Sequence, residues 1–191
     1  MNRRFGRSAI LAALCFAAAA TASQAEDIRI RRVSHSVLNT PSYNMDLRQP
    51  TARARRWVQL ECQFDTREDW TDDLEFTFYV LLRSDNPREP LVLLTGTVAY
   101  VHVPAGRQHV SWFYIHPNVI ARFGAVEGVA VELRQRGRPI AAEASSAQHR
   151  QQYRQWIERL PAREGLLMLP ADTPFAMYAP DLQQMIRQRQ Q

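Results

Sequence analysis

The clearest pattern in the chain is an alternation with period two. Val58, Leu60, Cys62 and Phe64 fall on one side of the segment 57–65, and Gln59, Glu61 and Gln63 on the other. Alternation of this kind predicts a half-buried strand. Leu74, Phe76, Phe78, Val80 and Leu82 repeat it with aromatic and β-branched residues that suit a pleated surface. Ile28-Arg29-Ile30-Arg31 opens a first strand near Asp27 that extends through Val33 to Leu38. Strands are also expected over 91–94 and 97–103, with Gly96 as a bend or bulge between them, and over 108–116. Pro104-Ala105-Gly106 reads as the tight turn of a hairpin joining the last two. Val129, Val131 and Leu133 mark another strand, and Gly137-Arg138-Pro139 turns the chain into a short one near Ile140.

The period changes twice. Pro117 to Phe123 fits one or two helical turns closed by Gly124. After Ser145, which with Gln148 fits a capping box, Tyr153, Trp156, Ile157 and Leu160 make one apolar helical face that Pro161 ends. Asp181 would cap a short C-terminal helix carrying Leu182, Met185 and Ile186. Two segments carry no periodicity: a long loop at 39–53, broken by Pro41 and Pro50, and an acidic stretch at 65–73. About seven strands separated by short turns predict a mainly β, antiparallel sandwich with one amphipathic helix and a short C-terminal helix. The amphipathic helix is expected to pack on one face or to cover an edge.

The N-terminus has a different character. Arg3, Arg4 and Arg7 precede an apolar run from Ser8 to Ala20, and Ser23-Gln24-Ala25 follows with small residues where signal peptidase needs them. Residues 1–25 therefore read as a cleavable signal and 26–191 as one exported domain, destined for the periplasm or the cell surface. The competing readings are an uncleaved anchor, a lipoprotein cut before Cys15, a twin-arginine signal, and a pilin-type cut after Gly6. Leu14 disfavours the lipoprotein, Phe5 the twin-arginine signal, and Leu11, where such leaders carry Glu, the pilin-type cut. No later segment is long and apolar enough for a transmembrane helix.

The leader also explains the charge. The whole chain is +5, but losing three arginines leaves 21 basic against 19 acidic residues, a net +2 that excludes a case for nucleic acid. There is no lysine, which we read as genomic coding bias; the arginine clusters are solvated faces and turns. With Cys15 in the leader, Cys62 has no partner for a disulfide, and its place on an apolar strand face makes it a small core residue.

Catalytic motifs are lacking: no G-x-S-x-G, no H-E-x-x-H, no P-loop and no dinucleotide fingerprint, nor a paired nucleophile and base. No enzymatic activity or cofactor is expected. His102, His109 and His116 recur every seven residues, and a hairpin would bring the first two together, but without an evident third metal ligand. Asp65, Glu68, Asp69, Asp72 and Asp73 form the one candidate calcium loop, although EF-hand spacing is missing. Trp70 within it is a candidate contact for a partner or a sugar.

Several segments in order resemble a family of pilus-like secreted proteins of verrucomicrobia and related bacteria. They are Ile28-Arg29-Ile30-Arg31-Arg32-Val33 with Thr40-Pro41, Arg56 to Glu61, Leu74 to Leu82, Leu94-Thr95-Gly96-Thr97-Val98 through Val103-Pro104-Ala105-Gly106, and Glu164-Gly165-Leu166-Leu167 through Thr173-Pro174-Phe175-Ala176. The resemblance implies an immunoglobulin-like sandwich related to pilin heads, no known catalysis and no family active site. It departs at the N-terminus, where a pilin keeps an apolar helix for polymerisation and this leader reads as removable. The function expected is a structural or adhesive module accessory to a pilus or secretion system, with other envelope or pilus proteins as partners. The alternative is a sandwich that binds a glycan or peptide through the 65–73 and 39–53 loops, with calcium as a possible aid.

Overall fold

The computed structural model describes residues 27–40, 55–178 and 185–186. The leader, most of the 39–53 loop and most of the expected C-terminal helix lie outside the described residues. Two sheets, antiparallel except for one short strand, pack face to face. One holds β1 (Ile28–Asn39), β2 (Arg56–Thr71), β5 (Val103–Ile115) and β9 (Leu167–Met168), in that order. The other runs β7 (Arg138–Ala144), β6 (Ala125–Gln135), β3 (Leu74–Arg83), β4 (Leu91–Tyr100) and β8 (Ala162–Arg163), the last added parallel to β4.

The alternating residues form the interior. Leu60, Cys62 and Phe64 from one sheet meet Phe76, Phe78, Val80, Val131 and Leu133 from the other, all fully buried. Phe64–Phe76 and Phe78–Phe113 ring contacts at 4.7 and 5.1 Å tie the sheets together. Tyr100 enters this apolar layer because its hydroxyl donates to Ser111 Oγ at 2.9 Å.

A third layer comes from α2 (Ala147–Arg159), which lays Tyr153 and Trp156 on the outer face of the five-stranded sheet, against Leu81, Leu93, Ala130 and Ala144. Its N-cap is Ser146, which accepts from His149 N–H, and not Ser145, the residue the capping box names. Ser145 instead accepts from Val129 N–H at 3.2 Å, so it ties the helix start to β6. The short α1 (Pro117–Phe123) forms as expected, and Gly124 at φ 93° ends it. A Cβ there would sit 1.9 Å from the Arg83 carbonyl oxygen.

Three expectations fail in informative ways. The segment 65–71 is not a loop: β2 runs on to Thr71 because Thr66, Trp70 and Thr71 pair with Gly106, Pro104 and Val103 of β5, with residues 67–69 bulged between them. The 97–116 region is not a hairpin: β4 and β5 lie in different sheets, and the chain crosses between them at Val101-His102. Pro104-Ala105-Gly106, taken as the turn, is strand opposite the bulged end of β2. Gly96 neither interrupts β4, a single strand from Leu91 to Tyr100, nor bulges it, since its register with β3 is unbroken. It is small because Leu167 lies over it, where an added Cβ would come within 3.0 Å of the leucine Cβ.

Candidate interaction surface

The two sides of the sandwich are finished differently. On one side, residues 160–178 strap the edges of both sheets. β8 pairs with Leu93 and Leu94, β9 pairs with Tyr114 and Ile115, and Phe175 then stacks on Tyr114 with ring centroids 4.9 Å apart. Trp57 completes this outer cluster. On the other side, among the described residues, the outermost strands are β7 and β1. β7 is short and carries Arg138, Pro139 and Glu143, residues that discourage a further strand.

β1 is long, and its two halves differ. The first carries Arg29, Arg31 and Arg32 and a bulge between Ile30 and Arg32. The second, Val33-Ser34-His35-Ser36-Val37-Leu38-Asn39, has no charged residue and no irregularity in its pairing with β2. Thr40 N–H donates to the Arg55 carbonyl at 2.8 Å. Counting back in steps of two, Ser34, Ser36 and Leu38 direct their backbone groups to β2, while Val33, His35, Val37 and Asn39 direct theirs to the open edge.

The side chains of Val33, His35 and Val37 share the inward face with Cys62, Leu60 and Val58. β7 ends at Ala144, so among the described residues no strand lies over the far end of that row, and Val37 is 51% exposed. A cleft of about 510 Å³ opens beside it, lined by Val33, His35, Glu127, Glu143, Ser145 and His149. Burial, with the nearby His149, pushes the His35 imidazole below its ordinary range. Glu127 pairs with Arg83 and Glu143 with Arg150 across this region.

The residues singled out for metal or partner binding do not converge. Asp65 is structural. Its carboxylate accepts from Arg31 Nε at 2.6 Å and from Gln108 N–H at 3.0 Å, which pins the β5 bulge where Gln108 takes φ 62°. Burial pushes its pKa up, but these bonds and the charges of Arg31 and Arg107 outweigh it and hold the carboxyl below the usual range. Asp72 accepts from His102 N–H at 2.7 Å and sits 3.2 Å from its imidazole, locking together the two crossings between sheets. Glu68 and Asp69 are exposed on the β2 bulge, and Asp73 occupies the β2–β3 crossing at φ 55°. Among the described residues, no group of three or more His, Cys, Asp and Glu is placed to hold a metal ion. His109 bonds to Thr66 and Pro104, and His116 accepts from Asn118 N–H at the start of α1, so the three histidines are apart. Trp70 stands 64% exposed opposite Pro104. Cys62 is buried in the core, where desolvation pushes its thiol pKa up and makes it a poor nucleophile.

The sequence reading missed the β1 edge. Its signal was present, an abrupt loss of charge after Arg32, but strand order alone tells which strands are edges.

Fold and surface together define a two-sheet β-sandwich with one strapped side and, among the described residues, one open side. The model of a pilus-associated family matches residues 19–190, and the chain belongs to that family. A crystal structure of a protein from Akkermansia muciniphila is similar, with a TM-score of 0.71 and 21% identity over 84% of this chain and 93% of that one. At that identity the likeness establishes the fold. No curated protein matches the sequence. Among the described residues, no helix is long and apolar enough to cross a membrane.

Proposed function

We propose that the chain is an exported, non-enzymatic structural module of a pilus or its accessory apparatus, working at the cell surface or in the periplasm by protein contact. Its partners are envelope or pilus proteins, and contact is made by adding a strand to β1. The observation that carries this is the uncharged, regular half of β1 at an open sheet edge, from Val33 to Asn39. Exposed edges of this kind are normally blunted by charge, proline or a bulge, and here those devices stop at Arg32. The family membership is consistent with such a role. Removal of residues 1–25 and an immunoglobulin-like kinship of the sandwich belong to the same proposal, the latter supported by the two packed antiparallel sheets.

Val37 gives a clean test. Its backbone N–H faces the open edge, so Val37→Pro leaves the β1–β2 ladder intact while closing the edge. Cross-linking on cells that express the protein should recover about tenfold less of its envelope complexes from Val37→Pro and Val37→Lys, with the fold retained. Unchanged complexes in both variants would sink the edge-docking reading.

A further inference from the structure

The open half of β1 has an internal symmetry. Val33-Ser34-His35-Ser36-Val37 reads the same in both directions. In an antiparallel pair of identical strands related by a two-fold axis, residues pair so that their numbers sum to a constant. An axis through His35 sets Val33 opposite Val37, Ser34 opposite Ser36 and His35 opposite its own copy.

This register agrees with the backbone. Val33, His35 and Val37 are the residues whose N–H and C=O groups face the open edge, so the three pairs would exchange roughly six hydrogen bonds between copies. It also agrees with the charges. Arg32 falls opposite Leu38 and Arg31 opposite Asn39 of the second copy, so no arginine meets an arginine. Sliding the axis toward the N-terminus would bring the Arg31-Arg32 pair against itself, which like-charge repulsion opposes. The valines would then extend the inward apolar row, covering the exposed Val37.

We propose that the occupant of the β1 edge is a second copy of this chain, paired two-fold about His35 so that the two four-stranded sheets become continuous. The proposal rests on the edge-docking reading and specifies its partner. The pairing is self-limiting, because a two-fold contact uses each edge once and closes at a dimer. It is also sensitive to acid. Two imidazoles would face each other at the axis, each beside His149 from α2, with Arg31 and Arg32 on the same strand. Glu127 of β6 and Glu143 of β7 line the same cleft but are engaged by Arg83 and Arg150. Protonation of both histidines sets like charges together, so the dimer weakens as the pH falls through the histidine range.

Cysteine pairing reads the register directly. Ser34 and Ser36 of opposite copies would form a non-hydrogen-bonded pair about 4.5 Å apart at Cα, a spacing that admits a disulfide. In a Cys15→Ser background, with Cys62 buried, Ser34→Cys and Ser36→Cys should each resist self-linking, and an oxidised mixture of the two should form a disulfide dimer. Light scattering should show a dimer at about 100 µM at neutral pH that dissociates on acidification, and His35→Gln should remove that pH dependence. Self-linking of Ser36→Cys alone would move the axis and overturn the assignment. A monomer at every pH with no mixed disulfide would overturn self-pairing. If Val37→Pro still strips the chain from its envelope complexes, edge docking by other proteins survives that result.

Discussion

Asp65 shows how far a residue's role depends on its neighbours. As one acid among five close in sequence it reads as a metal ligand; in the fold it holds Arg31 and the Gln108 N–H. Its side chain is 13% exposed and that of Arg31 is 47% exposed, so solvent screens the pair in part. Asp65→Asn is expected to cost ~1–2 kcal/mol near neutral pH in urea unfolding. The folded-state pKa lies below the unfolded value, so this stability is present above about pH 4 and is lost as the pH falls through the folded pKa. Wild type and variant should therefore converge once the pH has fallen below the folded-state pKa. Gly124 is constrained by geometry instead of charge. At φ 93°, and with the Arg83 carbonyl where a Cβ would lie, Gly124→Ala should cost more than about 3 kcal/mol or prevent folding, as soluble yield and thermal unfolding would show.

At the scale of elements, the period-two and period-3.6 patterns were enough to place β2, β3, α1 and α2. Each buries one face, and burial is what makes the apolar positions periodic. Ends and connections were less legible. The end of β2 is polar, since Thr66, Trp70 and Thr71 owe their strand geometry to pairing with β5 and not to an apolar face. The Pro104–Gly106 turn signal was overridden by a tighter crossing at His102, made possible by the Asp72 carboxylate that receives its N–H. The α2 layer is open to two measurements. Ser146→Ala removes the cap and should cost about 1 kcal/mol in chemical unfolding. Trp156→Ala empties the interface with Ala130 and Leu81 and should cost about 3–5 kcal/mol, with α2 amides losing protection from hydrogen exchange before those of β3.

For the whole molecule, the asymmetry between a strapped and an open side is the feature with functional weight. The strap protects the edges of β4 and β5, which is why the proposed contact is assigned to β1. The dispersed carboxylates lead to a further expectation. Calcium, titrated against EGTA, should leave the melting temperature unchanged, because Asp65 and Asp72 are already engaged and Glu68 and Asp69 point to solvent. A rise in Tm with calcium would show that these acids converge on an ion after all.

Alternation by itself determined that this protein is a two-sheet β-sandwich with a single amphipathic helix, because side-chain direction in a strand is local and repeats every second residue. It also determined that Cys62 is core, and that the chain loses most of its net positive charge if its leader is removed. Only the tertiary structure decided which strands are neighbours and which are edges. Strand order depends on pairings between residues far apart in sequence, such as Ile115 with Val58 and Leu167 with Ile115. Those pairings turned the acidic stretch from a loop into a strand, separated the histidines, and left the uncharged half of β1 at an open edge.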